Sequence, residues 1–246
     1  LVALAVLALA QLEGLERWGH NQLFAVRGVK QPQSPIVIVS ISEDSFDELD
    51  LAWPWPRALH AQFLDTIGRG KPAAVGFDIV FAEPSSRSPE DDQAFAESLQ
   101  AAGNATLAAA LTEVRDTGYS KQDLTPPIKL LREKAHGYGA VNFVIDDDAF
   151  VRWADLSHSH QDRAVNSFDQ ELYRTAVAAG VPAKPLGQSR FLINYRGGPG
   201  TFPTIPYYRV LNEEASPDMF HGKIVLVGAT SPILHDLHPT PFASQG

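Results

Sequence analysis

The chain has 246 residues, 44% of them hydrophobic and 20% charged, enough for one large α/β domain or two small ones with a substantial core. Twenty Lys and Arg stand against 29 Asp and Glu, a formal charge of −9, which argues against a nucleic-acid partner because phosphate-backbone binding needs a basic face. Cysteine is absent, which excludes disulfides, thiolate metal sites and cysteine nucleophiles.

Leu1 to Ala10 reads LVALAVLALA. A spanning helix needs about 20 apolar residues and a signal-peptide core about 7–15, so this run alone crosses nothing. It is either the buried start of a core helix or the cut end of a transmembrane helix. The missing initiating Met and the stop soon after Pro241-Phe242 favour the second, with both ends trimmed. Leu9, Leu12, Leu15 and Trp18 recur every third residue, and Leu23 and Val26 follow. That spacing suits a helix packed on a globular body or on a partner copy. Val29 to Pro35, after Gly28, is the linker into the domain.

The strongest site signal lies between Ile36 and Glu83. Two short β-branched runs, Ile36 to Ile41 and Ala74 to Phe81, flank an amphipathic helix from Arg57 to Gly70, with Leu59, Phe63, Leu64 and Ile67 inward. Continuous short apolar runs suit strands covered on both faces, joined here by a right-handed parallel crossover. Asp44 follows the first strand, Asp78 lies late in the second, and Glu83 comes after it. Open parallel sheets place their crevice at that edge, so these acids are expected to share a cleft. Trp53-Pro54-Trp55-Pro56 either walls that cleft or caps the core. Arg57 either touches a ligand or pairs with Asp44 or Asp78.

Glu90 to Ala102 reads as a helix, Ala105 to Leu111 as a third strand, and Thr112 to Lys134 as a surface excursion with a short helix from Ile128. Gly139 to Val144 reads as a strand that ends at Asp146-Asp147-Asp148. Those three acids are a solvated turn rather than a Ca²⁺ loop, whose glycine and distal Glu are missing. Phe150 to Leu156 is the next strand. His158 and His160 share one face of an edge or hairpin, with no third ligand nearby. Ser167 caps a helix from Phe168 to Gly180. Phe191 to Tyr195 is a strand, and the turn Gly197-Gly198-Pro199-Gly200 lacks the lysine of a phosphate loop. Ile205 to Leu211 begins a short helix. Ile224 to Gly228 is the last strand, and Asp236 would reach the same crevice if the strands are neighbours.

Taken in order, ISEDSF, WPWPR, GFDIVFAEP, GAVNF with its Asp turn, INYRGGPGTFP, GKIVLVGAT and DLHPTPF resemble the CHASE type-two extracellular sensor domain, over essentially Ile36 to Phe242. The resemblance implies a module outside the membrane, between transmembrane helices, that feeds an intracellular histidine kinase, nucleotide or diguanylate cyclase or serine/threonine kinase. Residues 1–28 then become the end of a transmembrane helix continuing as a signalling helix, and 29–246 a single extracytoplasmic domain of a membrane receptor. Where the family usually shows an Asp-Gly turn and paired arginines, this chain has Asp148-Ala149-Phe150 and Arg152-Trp153, so no function is carried to that turn.

The expected fold is α/β, a mainly parallel sheet with crossover helices on both faces, preceded by a long N-terminal helix. The expected ligand site comprises Asp44, Trp53, Trp55, Arg57, Asp78, Glu83, Asn142, Asn194 and Asp236. Crowded carboxylates raise one another's pKa unless a cation relieves them, so Asp44, Asp78 and Asp236 are candidates for a divalent cation, Mg²⁺ or Ca²⁺. The alternative is an internal Asp–Arg network. Two other functions remain open. One is a metal-assisted hydrolase, with His235 and His238 better placed than His60 and no nucleophile elbow present. The other is a structural module that forms a homodimer through its N-terminal helix.

Overall fold

In the computed structural model, residues 2–116, 119–161, 163–230 and 239–242 are described, the side chains of 2–13 and 113–122 excepted. Helix α1 (Val2–Arg27) comes first, then β1 (Ile36–Ile41), α2 (Glu43–Leu49), α3 (Arg57–Gly68), β2 (Ala74–Val80), α4 (Pro89–Ala102) and the long β3 (Ala105–Asp116). Next are β4 (Tyr119–Thr125), α5 (Lys129–Lys134), β5 (Gly137–Ala140), β6 (Val144–Ile145), β7 (Val151–Asp155), β8 (Ser157–His160) and β9 (Arg163–Asn166). The last are α6 (Phe168–Ala178), β10 (Arg190–Leu192), β11 (Thr204–Pro206), α7 (Tyr207–Leu211) and β12 (Ile224–Ala229).

The apolar runs form the middle of one sheet, in the order β11-β1-β12-β2-β3, with β5 parallel along the first half of β3 and β4 antiparallel along its second half. β12 pairs along its length with both β1 and β2, parallel to each. The last strand thus separates the first two, and β1 and β2 stand about 9–10 Å apart rather than side by side.

Alternation along the strands divides the core into two layers. Val37, Val39, Ile41, Val75, Phe77, Val225 and Val227 are fully buried and pack with Phe63, Leu64 and Ile67 of α3, Phe95 and Leu99 of α4 and Tyr207 of α7. Ala74 and Ala108 meet Phe168, Leu172 and Ala176 of α6 on the other face. Helices therefore cover both faces. Two glycines let α6 lie close. A Cβ at Gly76 would sit 2.5 Å from Leu172 Cδ1, and one at Gly139 would sit 2.6–2.7 Å from the Ser167 and Phe168 backbone. The Ser167 hydroxyl accepts from the Gln170 amide at 3.4 Å and caps α6 as its position predicts.

Three expectations change. Thr112 to Asp116 and Tyr119 to Thr125 pair as the ends of β3 and β4 rather than forming an excursion. The Gly139-to-Val144 strand divides: β5 belongs to the main sheet, and β6 to a separate sheet of order β10-β7-β6. Thr204–Pro206 pairs with β1 as an edge strand before α7 begins. Edge strands tolerate the flanking prolines because one side of the strand needs no ladder donor. Among the described residues, no helix is long and apolar enough to cross a membrane.

Candidate functional site

The carboxyl end of β2, the 140–143 segment, the start of α6 and the small sheet enclose a cavity of about 290 Å³. Asp78 lies two residues beyond Gly76 and so on the α6 face of the sheet. It shares this cavity with Asn142, Trp153, Asp155, Phe168, Asp169 and Phe191. Two larger hollows, about 490 and 600 Å³, run along α3 and α4. Neither holds an aromatic ring, and the first opens at the residues leading into β2 and β3. Ligand crevices of open parallel sheets form at the opposite, carboxyl ends, which favours the smaller cavity.

Trp153 lines a second cavity of about 280 Å³, between the small sheet and α1, together with Arg17, His20, Asp146, Arg152 and Leu192. Arg152 is 2% exposed. Its Nη1 donates to Asp146 and Asp148 at 2.7 Å each, and its Nη2 donates to Asp148 at 2.8 Å and to Asn21 of α1 at 3.2 Å. The bonds with Asp148, then those with Asp146, outweigh burial and raise the Arg152 pKa; the same bonds lower that of Asp148. Burial, reinforced by the Arg152 charge, lowers the pKa of His20.

The rest of the α1 anchorage follows from its last turns. Phe24 is buried against Tyr195 and Phe242, and Arg17 reaches Asp147 at 3.2 Å. Arg27 donates to Asn194 Oδ1 at 2.5 Å and to the Tyr195 carbonyl. The Tyr195 hydroxyl donates to the Val151 carbonyl, which ties this corner back to β7.

The CHASE2 domain profile matches residues 1–245, essentially the whole chain. The chain belongs to the CHASE2 domain family. CHASE2 domains are extracellular sensory domains of signalling membrane receptors, and they are not catalytic. Neither the curated proteins nor the solved structures gave a match.

Within this CHASE2 domain the candidates read from sequence divide. Asp78 and Asn142 meet at the cavity. Asn142 also serves the sheet, since its side-chain amide accepts from the Leu111 amide at 2.7 Å and donates to the Leu111 carbonyl, extending the ladder past the end of β5. Asn194 holds α1 rather than lining the cavity. Asp44 is exposed in α2, and the exposed Glu83 offers Arg57 only its backbone carbonyl. Asp236, His235 and His238 lie outside the described residues. Among the described residues no three His, Asp or Glu side chains are grouped to hold a metal ion, and the Mg²⁺ or Ca²⁺ cluster expected of Asp44, Asp78 and Asp236 includes a residue outside them. β12 stands between the strands that lead to Asp44 and carry Asp78.

The tryptophan wall is corrected. Trp55 is 2% exposed and packs on Tyr207, its Nε1 donating to the Leu51 carbonyl at 3.2 Å. Trp53 rests on Trp55 and Phe46. Trp55 is core, and the partly buried Trp53 packs against that core. Arg57 is also internal, and it pairs with neither Asp44 nor Asp78. Its guanidinium lies 3.5 Å from Asp92 and 4.5 Å above Phe81. Asp91 meanwhile accepts the Arg57 and Ala58 amides at 2.8 Å each, capping α3 where the ring of Pro56 has no acceptor to do so.

The residues missed are Arg152 and Trp153. Their signal was an arginine four residues beyond an Asp and followed by a tryptophan on a short strand. The departure from the family's Asp-Gly turn concealed it, yet Ala149 holds the left-handed conformation (φ 66°) that a glycine would take there.

Proposed function

We propose that this chain is the extracytoplasmic sensing part of a bacterial transmembrane receptor. It binds a small molecule in the cavity beside Asp78 and passes occupancy to α1 through the small sheet. The output is a histidine kinase or a nucleotide or diguanylate cyclase carried elsewhere on the full receptor. The observation that carries the reading is that Trp153 lines both cavities while its neighbour Arg152 grips Asn21 of α1. A ligand acts only through a different affinity for two arrangements, and a shared wall supplies such a difference. Trp153→Ala should raise hydrogen exchange in residues 14–27 and leave β1 and β12 protected. An unchanged α1, or a uniform rise across the sheet, would count against the coupling.

The homodimer belongs to the same proposal. Leu15, Trp18, Leu23 and Val26 are 61–87% exposed. Leu15 is nine residues from Phe24, half a turn around the helix, so the stripe faces away from the docked side. The body is therefore not what covers it, and a second copy is. The stripe carries no charge, so two copies can meet without repulsion. Trp18→Glu should convert a dimer to a monomer in analytical ultracentrifugation; a wild type that is monomeric at high concentration refutes this part.

A further inference from the structure

We infer that the cavity beside Asp78 takes a compact organic monocation, an ammonium or guanidinium group on a single-ring aromatic or similarly small apolar body. This rests on the sensor reading above and adds the chemical class of the ligand. Size sets the first limit. An apolar cavity of about 150 Å³ accepts benzene, so about 290 Å³ accommodates one ring with a short polar arm. Nucleotides and oligosaccharides are too large for it.

The lining sets the rest. Trp153, Phe168 and Phe191 offer ring surface, and Asp78, Asp155 and Asp169 supply carboxylates, with no Lys, Arg or His among the twelve lining residues. The lining acids outnumber the one arginine at the rim, Arg190 beside Asp155, so an anion would meet net negative charge. The amino end of α6 faces the cavity and would ordinarily attract one, but the Ser167 cap and the first-turn acids Asp169 and Glu171 already compensate it. The rim shows the proposed chemistry in miniature: Arg190 lies 3.7 Å from Asp155 and 5.0 Å over the Trp153 ring. Cations are held by carboxylate and ring together in this way.

The test titrates the chain at pH 7.5 with 2-phenylethylamine, 2-phenylethanol, 3-phenylpropionate and MgCl₂, following NMR shifts that include the Trp153 indole. A charge-assisted hydrogen bond implies that the amine binds about tenfold or more tighter than the alcohol. The carboxylate and Mg²⁺ should leave Trp153 unmoved. Asp169→Asn and Asp78→Asn, near-isosteric changes with folding checked by circular dichroism, should each weaken the amine. If only one variant folds, that one decides. Alcohol binding as tight as the amine, tighter carboxylate binding, or no response of Trp153 to any organic probe overturns the ligand class. Those results leave the Trp153→Ala exchange outcome unaffected, so failure of the class and failure of the sensor reading are told apart.

Discussion

His60 should give the domain a measurable acid limb. It is fully buried on α3, within 6.5 Å (ring to ring) of Trp53, Trp55, Phe77, Phe81, Phe95 and Tyr207. Its Nδ1 shares a 2.9 Å hydrogen bond with the Tyr207 hydroxyl, and its Nε2 has no partner. Burial first, and the Arg57 charge second, lower its pKa from 6.5 to about 3. The native state therefore refuses a proton that the unfolded chain accepts. Its contribution is complete above pH 6.5 and is lost as pH falls toward 3, at about 1.4 kcal/mol per pH unit. Between pH 7.5 and 5 the loss comes to about 2 kcal/mol. Urea unfolding of wild type and His60→Gln at several pH values in that window isolates it. The stability gap between them should close by about 2 kcal/mol on going from pH 7.5 to 5. Parallel pH profiles would refute the buried, neutral imidazole.

Other outcomes follow from individual contacts. Arg152→Gln leaves Asp146 and Asp148 facing each other without their cation and should cost about 3 kcal/mol in urea unfolding. It should also loosen residues 14–27 in hydrogen exchange. Gly139→Ala places a Cβ 2.6 Å from the Ser167 carbonyl oxygen, whereas a Cβ at Gly137 meets only Glu171 Oε2 at 3.5 Å. The first should lose about 1–3 kcal/mol and the second stay near neutral, a contrast visible in thermal unfolding. Asp91→Asn can no longer accept both the Arg57 and Ala58 amides, and an unfilled α3 cap should lower stability by about 1–2 kcal/mol.

Much of the fold was legible because its central strands are short, continuous apolar runs set off by glycine and proline. Ile36–Ile41, Ala74–Val80 and Ile224–Ala229 are all strands close to their expected bounds. Helices α3, α4 and α6 were legible for a related reason: period and punctuation agree, with Gly103 at the α4 terminus and Ser167 at the α6 start. The insertion of β12 between β1 and β2 was not legible, since strand order depends on contacts across nearly the whole chain. That one fact sets the strands leading to Asp44 and carrying Asp78 apart. The β3–β4 ribbon was hidden because Thr112 to Thr125 lacks an apolar alternation.

Side-chain burial was the harder question. Trp55 beside two prolines was as consistent with a clamp as with a core cap, and only the partners Tyr207 and His60 decide it. On α1 the three-residue spacing of Leu15 and Trp18 marks the outward stripe. The docked side is built from Phe24 and the polar groups Arg17, Asn21 and Arg27. Amphipathic period finds a helix face but does not say what covers it.

The central claim is that occupancy of the cavity beside Asp78 alters the docking of α1, and the absence of native cysteine allows a direct test. Phe143 is 54% exposed on the cavity rim. Phe143→Cys, converted by benzyl methanethiosulfonate to its mixed benzyl disulfide with methanesulfinate leaving, puts a ring into the cavity without knowledge of the natural ligand. Gln93→Cys, exposed on α4, carries the same label as a control. Hydrogen exchange of residues 14–27 should change with the ring at position 143 and stay constant with the ring at position 93. Identical α1 exchange in both labelled proteins, with the cavity residues themselves perturbed by the label at 143, would contradict the account.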